Sequence, residues 1–154
     1  MSDSDASFAY FLDKARNYCD YQERTLQEVK NKLQSWSISD ELCNKIIRQL
    51  EEEDMINEER YARSYALGKL RNNQWGRNKI IAGMRSKGLP ELMIEIGLSE
   101  IEEEEYRKIL QKVLESKKIK ETDDYKRRTK LAQYAYQKGF QPQLIWQLIN
   151  ELDL

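Results

Sequence analysis

Between Glu59 and Glu91 the chain carries Arg60, Arg63, Lys69, Arg71, Arg77, Lys79, Arg85 and Lys87, and no acidic residue. Trp75 lies in the middle of this run, after the polar stretch Asn72-Asn73-Gln74 and just before Gly76. The chemistry such residues can do is charge recognition. An uninterrupted basic run is an electrostatic footprint for an anionic partner, either a nucleic-acid backbone or an acidic protein surface. The competing account is a solvated helical face whose acids lie elsewhere in space. Trp75 would stack on a base or a partner side chain, or else anchor its loop on the next helix. Arg71, Arg77, Lys79, Arg85 and Lys87 carry the expectation of binding most directly. Arg60 and Arg63 have Glu58 and Glu59 on their own helix as candidate ion-pair partners.

Other chemistries lack their parts. The chain has no histidine, which removes the commonest general base and the commonest metal ligand together. Its two cysteines, Cys19 and Cys43, form no CxxC, so a zinc site has almost nothing to be built from. Neither a G-x-x-x-x-G-K-[ST] phosphate loop nor a G-x-G-x-x-G fingerprint is present. No catalytic residue, metal or cofactor is therefore expected, and the chain reads as a binding protein. With no membrane-length apolar run and an acidic N-terminus unlike a secretory signal, a cytoplasmic protein with buried, reduced thiols is expected.

Charge is uneven along the 154 residues. Residues 1–54 hold seven basic and twelve acidic side chains, residues 55–100 eight and five, and residues 101–154 eleven and ten, for an overall net charge of −1. The run Glu51-Glu52-Glu53-Asp54 closes a helix where the dipole disfavours acids, whereas Glu102 to Glu105 opens one where acids complement it.

The elements that must position these residues are helices. Two prolines, six glycines and long 3.6-residue patterns indicate an all-α protein. Phe8, Phe11, Leu12, Ala15 and Cys19 form one helical stripe. Thr25 with Glu28 is a capping box that opens a helix burying Leu26, Val29, Leu33 and Trp36. Ser39 caps a third helix with Leu42, Cys43, Ile46, Ile47 and Leu50. The same three parts recur at an offset of 51: Leu33, Met84 and Ala135; Val29, Ile80 and Leu131; Ile38, Leu89 and Phe140; Leu42, Met93 and Leu144; Ile47, Leu98 and Ile149. A fixed period of this length marks a tandem supersecondary unit, and such units stack into an elongated array. Three three-helix repeats are expected, at 1–55, 56–100 and 101–154. Leu33, Met84 and Leu131 are expected to be buried in corresponding places of their three units. Gly88 and Gly139 are expected in left-handed turns, with Pro90 and Pro142 beginning the next helices. The tight connections Lys87-Gly88-Leu89-Pro90 and Lys138-Gly139-Phe140-Gln141-Pro142 suit a helix-turn-helix, although any short helical hairpin has this form.

Three blocks carry a resemblance to a known family. They are Thr25-x-x-Glu28-Val29-x-x-x-Leu33, then Met55-Ile56-Asn57-Glu58-x-Arg60-Tyr61-Ala62-x-x-Tyr65, then Gly76-x-x-x-Ile80-x-x-x-Met84-x-x-Lys87-Gly88-Leu89. Gln137-Lys138-Gly139-Phe140 and Ile145 follow near the C-terminus. The pattern resembles RecX, the bacterial regulator of the RecA recombinase, over essentially the whole chain, with 57–89 its most specific part. This chain has Gly76-Arg77 where the family commonly has Gly-Pro, and Asn57-Glu58 where it often has Asp-Asp. The resemblance implies a curved array of helix-turn-helix-like repeats. It implies a monomer that binds the RecA–DNA filament and inhibits its ATPase, strand-exchange and coprotease functions. Single- or double-stranded DNA is a further expected partner; membranes are not. A helix-turn-helix array that binds DNA without RecA is the alternative, and a purely structural helical adaptor is the third.

Overall fold

The computed structural model describes residues 3–154; Met1 and Ser2, which begin the expected first repeat and the N-terminal segment read above, lie outside them. The described residues form nine α-helices and no strand: α1 (Asp3–Tyr21), α2 (Leu26–Ser35), α3 (Asp40–Glu52), α4 (Glu58–Asn73), α5 (Arg77–Ser86), α6 (Glu91–Ser99), α7 (Glu103–Ser116), α8 (Asp124–Gln137) and α9 (Pro142–Leu152). Helices α3, α6 and α9 begin at Asp40, Glu91 and Pro142, 51 residues apart each time. Pro90 stands at the N-cap of α6, and Pro142 is the first residue of α9.

Two compact units are present, and one of them holds α1, α2, α3, the start of α4 as far as Tyr61, and the turn Lys87–Leu89. In this unit α1 and α2 both pack on α3. The core is Leu12, Ala15, Val29, Leu33, Cys43, Ile46, Ile47, Leu50 and Ile56, ringed by half-buried Phe8, Phe11, Leu26, Trp36 and Leu42. Burying a side chain of Leu or Ile size is worth roughly 1.5–3 kcal/mol, so this one stripe per helix outweighs any local preference. The helix starts are fixed chemically. Thr25 Oγ1 accepts from the Glu28 amide at 3.0 Å while Glu28 Oε1 accepts from the Thr25 amide at 3.3 Å, completing the capping box. Ser39 Oγ accepts from the Leu42 amide at 3.1 Å. Asn57 does the same for α4, its side-chain oxygen accepting from the Arg60 amide at 2.9 Å. Both cysteines are free, Cys43 buried and Cys19 half-buried.

The acidic end of α3 is used internally. Arg16 of α1 meets Glu53 through Nε at 2.8 Å and Nη2 at 2.7 Å. Those bonds, with one from Gln49, lower the Glu53 carboxyl from its ordinary 4.5 to about 2. Asp54 accepts from Arg60 at 3.0 Å.

The other unit holds Ala62–Ser86 and Pro90–Leu154. Here α5 packs on α6, and α7, α8 and α9 pack on one another. Ile80, Met84, Ile94, Tyr106, Leu110, Leu114, Phe140 and Ile145 are its largest fully buried side chains outside α4, where Leu70 is likewise buried. The Asp123 carboxylate caps α8 by accepting from the Lys126 amide at 2.9 Å, so α8 begins a turn before the register requires.

Burial follows the 51-residue register closely. Leu33, Met84 and Ala135 are each 0% exposed, and Val29, Ile80 and Leu131 are all buried, as are Leu89 and Phe140. Leu42, Met93 and Leu144 are half-buried alike. Leu131 is buried as expected, but the counterpart of Leu33 and Met84 is Ala135; Leu131 sits one turn earlier, with Val29 and Ile80. Gly88 and Gly139 have φ of +80° and +101°. Ser37, one period before Gly88, has φ +56°, so the left-handed turn is a property of the repeat even where glycine is absent.

Candidate functional site

The acid-free interval places most of its charge in the second of these units, on α4, α5 and the loop between them. Helix α4 is followed by Gln74 in the left-handed region at φ +57°, and the Trp75 amide turns back to the Lys69 carbonyl at 3.1 Å. This brings half-buried Trp75 between two cations. Lys69 Nζ lies 4.8 Å and Lys79 Nζ 4.7 Å from its ring centroid. Both distances suit cation–π attraction. Lys138, outside the interval, donates to the Asn73 carbonyl at 3.5 Å and adds a further cation to the same loop.

The start of α5 is closed by protein. The Gly76 amide donates to the Lys138 carbonyl at 2.7 Å and the Asn78 amide to the Gly139 carbonyl at 2.9 Å. Between them the Arg77 amide donates to the Tyr106 hydroxyl at 2.9 Å, and that hydroxyl in turn donates to the Gln141 side-chain oxygen. Helix N-termini commonly offer such amides to phosphate; here the turn after α8 and the Tyr106 hydroxyl of α7 take them. The approach is backbone to backbone. A Cβ on Gly76 would sit 2.3 Å from the Gly139 carbonyl carbon, and one on Gly139 would sit 2.4 Å from the Lys79 Cβ. Gly76 is therefore required by contact, and Gly139 by contact as well as by φ.

The arginines are engaged. Arg71 binds Glu105, with Nη2–Oε1 at 2.8 Å and Nε–Oε1 at 3.0 Å. Arg77 Nη2 binds Glu103 at 2.9 Å, and the guanidinium lies 4.0 Å from the centroid of the buried Tyr106 ring. Arg85 binds Glu91 through Nε at 2.7 Å. Arg63 reaches Glu100. Hydrogen bonding from Arg71 holds the Glu105 carboxyl below the usual glutamate range, and Arg85 does the same to Glu91. Burial pushes the Tyr106 hydroxyl up. In the other unit, Arg60 pairs with Glu23 at 2.7 Å and with Asp54, where the sequence offered Glu58 and Glu59. Lys87, also there, is exposed and has no ion pair among the described residues.

So the structure brings Lys69, Trp75 and Lys79 together, and supplies Arg71, Arg77 and Arg85 with glutamates from beyond the interval. The sequence reading missed Glu103 and Glu105 as partners because Glu102 to Glu105 had a sufficient role at the start of α7. The usable signal was the interval itself, since eight cations without a local acid must find acids elsewhere or stay unpaired. Tyr106 and Gln141 were read only as an apolar position and a turn residue. Among the described residues, no group of three His, Cys, Asp or Glu side chains could hold a metal ion, and no helix is long and apolar enough to cross a membrane.

Comparison with known proteins places these features. Residues 57–98 match the second three-helix domain of RecX and residues 102–149 match its third. The chain is 30% identical to the regulatory protein RecX of Prosthecochloris aestuarii over 99% of this chain and 98% of that one. It is 30% identical to the Staphylococcus aureus (strain Newman) protein of the same name over 92% of this chain, which spans about half (53%) of that longer relative. The crystal structure of RecX from Lactobacillus salivarius superposes with a TM-score of 0.88 at 27% identity, covering 95% of this chain and 96% of that one. With an all-helical fold repeating every 51 residues and matches to two successive three-helix domains, the chain belongs to the RecX family.

Proposed function

We propose that this protein binds RecA–DNA filaments as a cytoplasmic monomer and inhibits RecA ATPase, strand exchange and coprotease activity, with no catalysis of its own. The supporting observation is that the acid-free basic interval lies within the segment matching the second RecX three-helix domain. The repeats are proposed as 1–55, 56–100 and 101–154. Arg71, Arg77, Lys79, Arg85 and Lys87 are proposed as the main contacts, with Trp75 as a stacking contact and Arg60 and Arg63 as additional ones. A net charge of −1 provides no bulk attraction to DNA, which favours a filament partner over naked nucleic acid. A regulator of this kind works by differential affinity for the states of its target.

The test is RecA's single-stranded-DNA-dependent ATPase with and without the protein. Arg77 packs on Tyr106, so the informative variant reverses the more exposed Arg71, Lys79 and Arg85 to Glu. Inhibition by the wild type and loss of it in the folded triple variant are expected. If phosphates are touched, log affinity falls by about 0.7–0.9 per contact per decade of salt, and the variant flattens that slope. Unaltered RecA turnover with the wild type refutes the function. Tight binding to naked DNA without any effect on RecA supports the DNA-only alternative.

A further inference from the structure

Two guanidiniums of the proposed surface are held by carboxylates of one short segment. Glu105 takes Arg71 of α4 at 2.8 Å, and Glu103 takes Arg77 of α5 at 2.9 Å. Both glutamates sit in the first turn of α7, beside Glu104 and after Glu102. The N-terminal dipole of α7 favours negative charge there whether or not the arginines are near. Each pair is open to solvent on one side: the Arg71 side chain is 56% exposed against 31% for Glu105, and the Glu103 side chain is 60% exposed against 20% for Arg77. A pair with one partner this exposed is screened and exchangeable. A phosphate approaching either arginine therefore meets a carboxylate already in its place, and meets repulsion from the rest of the acidic turn.

We propose that Glu103 and Glu105 are specificity-determining residues: they act as internal counter-ions on Arg77 and Arg71 that a nucleic-acid backbone must displace. A sparse anion does not repay that displacement. An array of phosphates engaging both arginines together does, so the surface discriminates by charge density. This rests on the function proposed above, and it makes the carboxylates a threshold set into the binding surface rather than incidental ion pairs.

The test is Glu103→Gln/Glu105→Gln against a control with the same charge change, Glu95→Gln/Glu115→Gln. The control glutamates are exposed, lie in the same unit and make no ion pair among the described residues. The probes are a fluorescent single-stranded oligonucleotide and RecA filaments assembled on it, over a salt titration. The Glu103/Glu105 variant is expected to bind about 5–20-fold more tightly at low salt and about twofold at high salt, as screening removes the difference. The control should gain no more than about twofold. The gain of the Glu103/Glu105 variant on the oligonucleotide should exceed its gain on filaments, which narrows the discrimination. Equal gains for the two variants would reduce the effect to bulk charge and overturn the proposal. Weaker binding would also overturn it, by showing that the carboxylates hold the guanidiniums ready. If the double variant does not fold, the single Glu105→Gln carries the same test through Arg71. A wild type that inhibits RecA while the variants behave alike sinks this inference alone; a wild type that binds neither probe sinks the function and the inference together.

Discussion

The turn around Ser37 and the turn around Gly139 stand at equivalent points of the 51-residue register, but among the described residues only the second receives a backbone amide from another helix. Both are left-handed, with φ of +56° and +101°. Ser37 is exposed and reverses the chain between α2 and α3. Gly139 gives its carbonyl to the Asn78 amide, and a Cβ there would lie 2.6 Å from the Lys79 nitrogen. Gly88 is intermediate, with φ +80° and nothing nearer than 3.7 Å to an added Cβ. The repeat dictates the backbone conformation, but the demand for glycine is set by what arrives at the turn.

That comparison can be broken at several points. The largest effect is expected where the register is filled by a large side chain: Leu33→Ala and Met84→Ala should each cost roughly 2–5 kcal/mol, read by urea denaturation. A negligible loss at Met84 would dissolve the equivalence of the repeats, in which the third position is already Ala135. Next, Gly139→Ala should cost about 2–4 kcal/mol, through strain and a backbone clash together. Gly88→Ala should cost only about 1–2 kcal/mol, through left-handed strain alone. Equal losses would show that φ, not contact, governs both. Ser37→Gly should raise stability by no more than about half a kcal/mol, because relief of strain is offset by a freer unfolded chain. The smallest effect concerns the first unit's ion pair. The folded Glu53 carboxyl, near 2, lies below its ordinary 4.5, so its stabilisation is complete above 4.5 and fades as pH falls toward 2. Glu53→Gln should flatten the acid limb of the stability profile in that window, its modest loss of stability being greatest at neutral pH and vanishing near pH 2. An unchanged acid limb would remove Arg16–Glu53 from the account.

Helices, caps and core positions were legible because they depend on near neighbours and on period. The Thr25–Glu28 box, the Ser39 cap and the burial of Leu33, Met84 and Ile80 need only local spacing and one apolar face. The cation pairs were not legible, because Arg71 finds Glu105 and Arg77 finds Glu103 across a distance in sequence that no periodicity encodes. The same holds for Tyr106, whose apolar position in α7 was plain while its hydroxyl's meeting with Arg77 was not. Ser37 was missed for another reason: turn chemistry was sought in glycine, and the conformation persists without it.

The bonds from Gly76 to Lys138 and from Asn78 to Gly139 join positions roughly sixty residues apart, a long loop for a chain otherwise dominated by local helical contacts. During synthesis from the N-terminus, α5 emerges well before the segment that receives it. Its opening turn must wait, hydrated, until residue 139 has left the ribosome. The central repeat is thus completed only by residues of the next one, and a chain cut short before that turn would leave the Gly76 and Asn78 amides bare at the start of α5.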